Sequence, residues 1–177
     1  IEQFLLQEEN VVILTNHQAE SDPQLVNLLL EKTHPTFAAE SFWVAGERVL
    51  IDPMAAPFSM GRNLLCVYSK KYIDHPPERR SEKQAHNANT MRQMHKLFSK
   101  GGGAVFVAPS GGRDRPNQEG NVLPAPFDAS AVEMFRLMAS RSPKPVHVFP
   151  LALASYNLLP PPSGMPDEGC EPRYTKG

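Results

Sequence analysis

The chain has 177 residues, a formal net charge of −1, and 41% hydrophobic against 21% charged residues. That balance excludes a disordered chain and gives no overall electrostatic pull toward nucleic acid, so any basic site must be local. The length suits one domain with a real core, and no uninterrupted apolar run of about 18 residues predicts a membrane span.

In chain order, residues 1–9 read as the end of a helix that packs on the domain, with the chain starting inside the helical pattern. Val11-Val12-Ile13-Leu14 is β-branched and of strand length, giving a first strand over 11–15. Asp22-Pro23 then opens a helix running to about Lys32, with Asp22 as N-cap and Pro23 at the first helical position. Thr33-His34-Pro35 ends it. Phe42-Trp43-Val44-Ala45 is a short strand broken by Gly46, and residues 47–54 form a short helix or turn. Residues 63–69 read as a buried strand in which Cys66 is a small hydrophobe, ending in Lys70-Lys71-Tyr72.

After the loop at His75-Pro76-Pro77, residues 81–99 carry the longest helical pattern, with Ala85, Ala88, Met91, Met94 or His95, and Phe98 on one face. Gly101-Gly102-Gly103 stops this helix and is no phosphate-binding loop, since it precedes a strand and lacks the Lys-Ser/Thr ending. Residues 104–108 are the next strand and 109–116 the loop after it; residues 117–127 are irregular. Asp128 caps a helix to about Arg141, with Ala131, Val132, Phe135, Met138 and Ala139 on one face, and residues 146–154 form the last clear strand. No internal repeat is seen. The alternation of strands and helices predicts an α/β fold with a mainly parallel or mixed central sheet flanked by helices. One domain is expected over residues 1–162. The remainder, 163–177, is rich in Pro, Gly and charge and reads as a loop or tail.

Three loops follow apolar strands, and parallel strands would deliver all three to one edge of the sheet. The first holds His17 and Asp22, the second Lys71, the third Arg113 and Arg115. Imidazole is suited to take a proton near neutral pH, and a carboxylate beside it sets its tautomer and stabilises the imidazolium. By itself the pair is weak evidence, because a loop histidine is commonly plain surface and Asp before Pro is commonly a helix cap. In Gly111-Gly112-Arg113-Asp114-Arg115-Pro116, Asp114 can hold one guanidinium while the planar forks of the arginines suit phosphate or carboxylate. The same loop in isolation reads more readily as solvated surface with a local ion pair. Ala108-Pro109-Ser110-Gly111-Gly112 faintly resembles a nucleophile elbow, but Ala replaces its first glycine and no helix follows. The two cysteines, Cys66 and Cys170, suggest no disulfide framework, and neither they nor His34, His75, His86, His95 and His147 show metal-ligand spacing.

Taken together, these blocks resemble a family. Asn16-His17-Gln18-Ala19-Glu20-Ser21-Asp22-Pro23 resembles the His-x4-Asp motif of the glycerolipid acyltransferases. Asn63-Leu64-Leu65-Cys66-Val67-Tyr68-Ser69-Lys70-Lys71 is similar to their second block, and Ala108-Pro109-Ser110-Gly111-Gly112-Arg113-Asp114-Arg115-Pro116 to their third. Phe149-Pro150-Leu151-Ala152-Leu153 is similar to the fourth. With Pro124-Ala125-Pro126-Phe127-Asp128-Ala129-Ser130, they look most like the soluble glycerol-3-phosphate 1-acyltransferases of plant and algal plastids, over about residues 10–162.

The resemblance implies a glycerol-3-phosphate acyltransferase-like fold. It implies transfer of an acyl group from acyl-carrier protein or acyl-CoA to the 1-hydroxyl of glycerol 3-phosphate, in the plastid stroma. His17 would be the base and Asp22 its support; Lys71, Arg113 and Arg115 would bind phosphate. Plastid members often have Lys-His where this chain has Lys71-Tyr72, and tyrosine brings no charge. Relative to the family, an N-terminal helical domain and the C-terminal end are missing from this sequence. A thioester is already activated, so the chemistry calls for no metal or bound cofactor. Amides near Gly111 and Gly112 are candidate oxyanion donors, and Phe149, Leu151, Leu153 or Met60 candidates for lining an acyl groove. No nucleic acid or transmembrane segment is expected; peripheral contact with a membrane is left open. Two other readings stand beside this one. One is a thioesterase or esterase using Ser110 with His17; the other is a module that binds an acyl carrier or lipid precursor without turnover.

Overall fold

The computed structural model describes residues 1–53, 55–69 and 73–158. Lys70, Lys71 and Tyr72 of the second loop, together with Cys170 and the tail expected over 163–177, lie outside the described residues. The elements run α1 (Glu2–Leu6), β1 (Asn10–Thr15), α2 (Asp22–Leu30), α3 (Pro35–Glu40), β2 (Phe42–Gly46), a 3-10 turn (Glu47–Leu50), α4 (Ala56–Ser59) and β3 (Asn63–Val67). A second 3-10 turn (Pro77–Arg79) leads into α5 (Arg80–Lys100), then β4 (Ala104–Val107), α6 (Ala129–Arg141) and β5 (Val146–Leu151).

The five strands make one sheet in the order β3-β2-β4-β1-β5, and every pairing is parallel. β1 and β4 lie at the centre in the register Val11↔Ala104 to Leu14↔Val107. Both strands are buried on both faces, which is why they read as unbroken apolar runs. Pro150 sits in β5, an edge strand, where a missing N–H is tolerated.

The direction of each crossover decides which face its helices cover. From β1 the chain steps past β4 to β2, carrying α2 and α3; from β4 it steps back past β1 to β5, carrying α6. Right-handed connections in opposite directions put their helices on opposite faces. The packing agrees. Val11, Ile13, Trp43 and Phe106 meet Val26 of α2 and Phe37 of α3, with Phe4 and Leu5 of α1. Val12, Leu65, Val105 and Val107 meet Met94 and Phe98 of α5 and Phe135 of α6. Trp43 stacks on Phe106, with ring centroids 4.3 Å apart.

Several expectations need correction. The long helix α5 meets its expected face only in its second half, where Met91, Met94 and Phe98 pack into the core; in the first half Ala85 and Ala88 are exposed, while Lys83 and Thr90 are buried. Its first half is held by polar bonds to the end of β3. Thr90 Oγ1 donates to the Cys66 carbonyl at 2.8 Å, and Asn87 bonds both the amide and the carbonyl of Tyr68 at 2.8 Å. Apolar periodicity cannot detect such a face. Helices α3 and α4 each begin with proline in the first turn and are too short for a periodic signal. Cys66 is half-buried rather than fully buried, and β5 ends at Leu151.

Two expectations about helix ends hold. Asp128 caps α6, accepting from the amides of Ser130 and Ala131. Gly101 ends α5 at φ +84°, where a Cβ would lie 2.1 Å from the Glu8 carbonyl oxygen. Among the described residues no helix is long and apolar enough to cross a membrane.

Candidate active site

Because all strands are parallel, the loops after β1, β3, β4 and β5 leave from one edge. β1 and β4 are neighbours whose outgoing connections diverge, which opens a crevice between their loops. A cavity of about 290 Å³ starts there and extends under the segment between β2 and β3. Its wall includes His17, Glu20 and Asp22 from the first loop and Gly111, Gly112 and Arg113 from the third. Val49, Ala55 and Phe58 line it from the β2–β3 segment, with Trp43, Leu64 and Phe106 from the sheet. Gln24 of α2 donates to the Phe58 carbonyl and ties this segment down.

His17 enters the cavity because its neighbours are pulled the other way. Asn16 and Gln18 are buried and bond the chain after β5: Leu153 N donates to Asn16 Oδ1 at 2.7 Å, and Ser155 N to Gln18 Oε1 at 2.8 Å. With both neighbours held by that chain, the imidazole between them is left on the cavity wall. Its side chain is 32% exposed, and Nδ1 lies 2.8 Å from Asp22 Oδ2.

Asp22 is 2% exposed and occupies the first turn of α2, one residue past the position expected of it. Ser21 holds the N-cap position and makes no side-chain capping bond. The Asp22 carboxylate does not cap its own helix. It turns back, and Oδ2 accepts from the amides of Gln18 at 2.8 Å and Ala19 at 3.2 Å as well as from His17. Burial acts to push this carboxyl up, but the bonds from His17 and Ser155, the His17 charge and the Gln18 amide outweigh it, so its pKa is lowered. An ionised carboxylate only accepts, so Nδ1 carries the proton and Nε2 presents its lone pair.

A carboxyl whose folded-state pKa is depressed contributes stability above its unfolded value and loses it as pH falls through the folded one. The stability gap between wild type and Asp22→Asn, read by urea unfolding, is expected to be full from neutral pH down to about pH 4. Below that it should shrink as the folded-state carboxyl protonates. A gap that stays constant through the acid transition would contradict this origin.

Asp114 differs from its expected role as an arginine clamp. It is 0% exposed and points into the protein. Its Oδ2 accepts from Asn16 Nδ2 at 2.8 Å and Gln18 Nε2 at 3.3 Å, its Oδ1 from the Ala125 amide at 2.9 Å, and its own amide donates to the His17 carbonyl at 2.6 Å. It therefore joins the first and third loops. Arg113, with 8% of its side chain exposed, pairs instead with Glu20, Nη1 to Oε2 at 2.8 Å. Glu20 was not singled out from sequence; its place beside His17 in the first loop is the signal that could have found it. Arg113 is on the cavity wall, whereas Arg115 is half-buried one step further along the loop and is not among the described lining residues.

Ser110 donates its hydroxyl to the Gly112 carbonyl at 3.1 Å, a bond internal to the loop that points to a structural role. The Gly111 amide closes a turn onto the Ala108 carbonyl at 3.1 Å and is thereby spent, leaving Gly112 as the cavity-lining glycine of the pair not so engaged. Of the apolar candidates, Leu153 lines the cavity and packs with Phe149 and Leu151 against the core, while Met60 is 77% exposed. Among the described residues no cluster of His, Cys, Asp and Glu has the arrangement to hold a metal ion.

The acyltransferase family model matches residues 1–154. The chain belongs to the acyltransferase family. A chloroplastic glycerol-3-phosphate acyltransferase of Cucurbita moschata is 49% identical to this acyltransferase chain over 164 residues, 92% of this chain and 36% of that protein. The chloroplastic glycerol-3-phosphate acyltransferase of Arabidopsis thaliana is 43% identical over 174 residues, 98% of this chain and 38% of that protein. That of Spinacia oleracea is 41% identical, with 98% of this chain and 37% of that protein covered. The acyltransferase chain thus spans somewhat more than a third of the length of these curated relatives.

Proposed function

We propose that the chain carries the transfer of an acyl group from acyl-carrier protein or acyl-CoA to the 1-hydroxyl of glycerol 3-phosphate, giving 1-acylglycerol 3-phosphate, in the plastid stroma. Residues 1–162 would be its catalytic unit. The observation that carries the reading is the His17–Asp22 pair at 2.8 Å on the wall of an apolar cavity that Arg113 also lines. The names of the relatives support the substrate and the compartment.

In this reading Arg113, with Lys71 and Arg115, holds the phosphate and thereby places the hydroxyl beside His17, a proximity gain. Nε2 takes the hydroxyl proton as the oxygen attacks the thioester carbonyl. The new C–O ester bond forms, the C–S bond breaks, and the departing thiolate takes the proton back from the imidazolium. Asp22 holds the tautomer in which Nε2 can accept, and stabilises the transient positive charge. The apolar side of the cavity, with Phe58 and Leu153, receives the acyl chain.

Incubating the chain with labelled glycerol 3-phosphate and an acyl donor tests this directly. Lysophosphatidate is expected; free fatty acid alone would indicate a thioesterase, and no product a binding module. In the same assay Arg113→Ser should raise the KM for glycerol 3-phosphate by about ten-fold or more, the worth of one charge-assisted bond, and leave the KM for the acyl donor within about two-fold. Equal rises in both would make Arg113 a structural residue.

A further inference from the structure

The two oxygens of Asp22 face different parts of the chain. Oδ2 gathers His17 Nδ1 and the amides of Gln18 and Ala19, all from its own loop. Oδ1 accepts a hydrogen bond from Ser155 Oγ at 2.5 Å, across 133 positions of sequence. Ser155 is 5% exposed and lies in the segment that follows β5.

That segment is itself held in place. The amides of Ser155 and Tyr156 donate to Gln18 Oε1 at 2.8 and 3.0 Å, and Leu153 exchanges two bonds with Asn16, at 2.7 and 3.0 Å. The Ser155 hydroxyl therefore approaches Asp22 from a backbone that cannot shift without breaking bonds to the loop that carries His17.

A carboxylate anchored at one oxygen can still pivot about its Cβ–Cγ bond, because this torsion is broad. The bonds to Oδ2 resist that rotation at one oxygen only. The bond on Oδ1 resists it at the other, and the angle of the carboxylate decides whether the Oδ2 lone pair stays aimed at Nδ1. In hydrogen-bonded catalytic pairs a small loss of aim costs rate, because the orienting group acts through the base it holds.

We propose that Ser155 is a positioning residue of the acyl-transfer site, fixing the plane of the Asp22 carboxylate so that His17 keeps its proton on Nδ1 and turns Nε2 to the cavity. The inference rests on the reading of His17 as the base. Ser155 does not touch the reacting atoms in this role; it acts through Asp22, and it makes the segment after β5 part of the site.

The test is Ser155→Ala in the whole chain, read in two ways. In the resting protein, 15N-edited NMR of the His17 imidazole is expected to show the Nδ1–H resonance shifted or exchange-broadened relative to wild type. In the transfer assay kcat is expected to fall by about ten-fold, equivalent to about 1.4 kcal/mol, with both KM values within about two-fold. A wild-type resonance in the variant, or a wild-type kcat, would overturn the role, as would a raised KM with kcat unchanged. If wild type forms no lysophosphatidate the acyl-transfer reading fails by itself, and the resonance still decides whether Ser155 sets the His17–Asp22 geometry.

Discussion

His17→Ala is expected to lower the rate of acyl transfer by about 10²–10⁴-fold, the usual worth of a positioned general base. The side chain is 32% exposed and among the described residues its polar bond is to Asp22, which keeps the Gln18 and Ala19 amides and Ser155 as partners. Thermal unfolding should therefore change little. Affinity for glycerol 3-phosphate, measured by titration calorimetry, should also stay within about three-fold, since phosphate recognition is assigned to other side chains. Loss of turnover together with intact folding and binding isolates the proton-transfer role. Turnover close to wild type in a folded variant would remove His17 as the base, and a loss of folding would return it to a structural residue.

Asp114→Asn is expected to have the largest effect on stability. Four groups converge on the Asp114 side chain and amide: Asn16, Gln18, Ala125 and the His17 carbonyl, with Asn16 also holding Leu153. An amide side chain keeps the volume and loses one acceptor. Whichever way it is turned, its NH2 faces a donor, either the Ala125 amide or the Asn16 and Gln18 side-chain amides. A buried donor without an acceptor costs about 1–3 kcal/mol, and at least one is created here, in a network with 0% exposure at its centre. We expect a loss of about 2–4 kcal/mol, read as a fall in the urea midpoint with the slope unchanged. Activity should fall as well, because Asp114 is the joint between the loop of His17 and the loop of Arg113. A variant of wild-type stability would mean that the network tolerates the swap and that Asp114 is not the strut the geometry makes it.

Asp114 also shows where local reading stops. Between two arginines in sequence, it reads as their counter-ion. In the fold the backbone turns at Gly111, with φ +72°, and brings Asp114 beneath His17, so Glu20 takes the Arg113 guanidinium instead. The pairing is settled by which loops are neighbours in space. Asp22 shows the same limit on a smaller scale. A helix-start aspartate reads as a cap, but its carboxylate faces amides that precede the helix, and these cannot be told from helix amides by spacing alone.

Much was legible from sequence. The central strands at 10–15 and 104–107 were legible because parallel strands buried on both faces must be apolar, and those at 42–46, 63–67 and 146–151 because they are short β-prone runs bounded by breakers. The stop at Gly101 and the cap at Asp128 are local chemistry and read as such, whereas Pro35, read as a stop, opens α3. The pairing of His17 with Asp22 was legible too, since five positions across a strand-to-helix turn place the two within reach. Tertiary structure alone decided the rest. It alone chose the strand order that sets the loops of β1 and β4 side by side, the inward turn of Asp114, the polar face of α5, and the return of Ser155 to Asp22. These are long-range hydrogen bonds between polar residues, and their partners lie up to 137 or 138 positions apart. Neither apolar periodicity nor motif spacing carries that information, because a hydrogen bond depends on direction and distance in space, which only the packed sheet supplies.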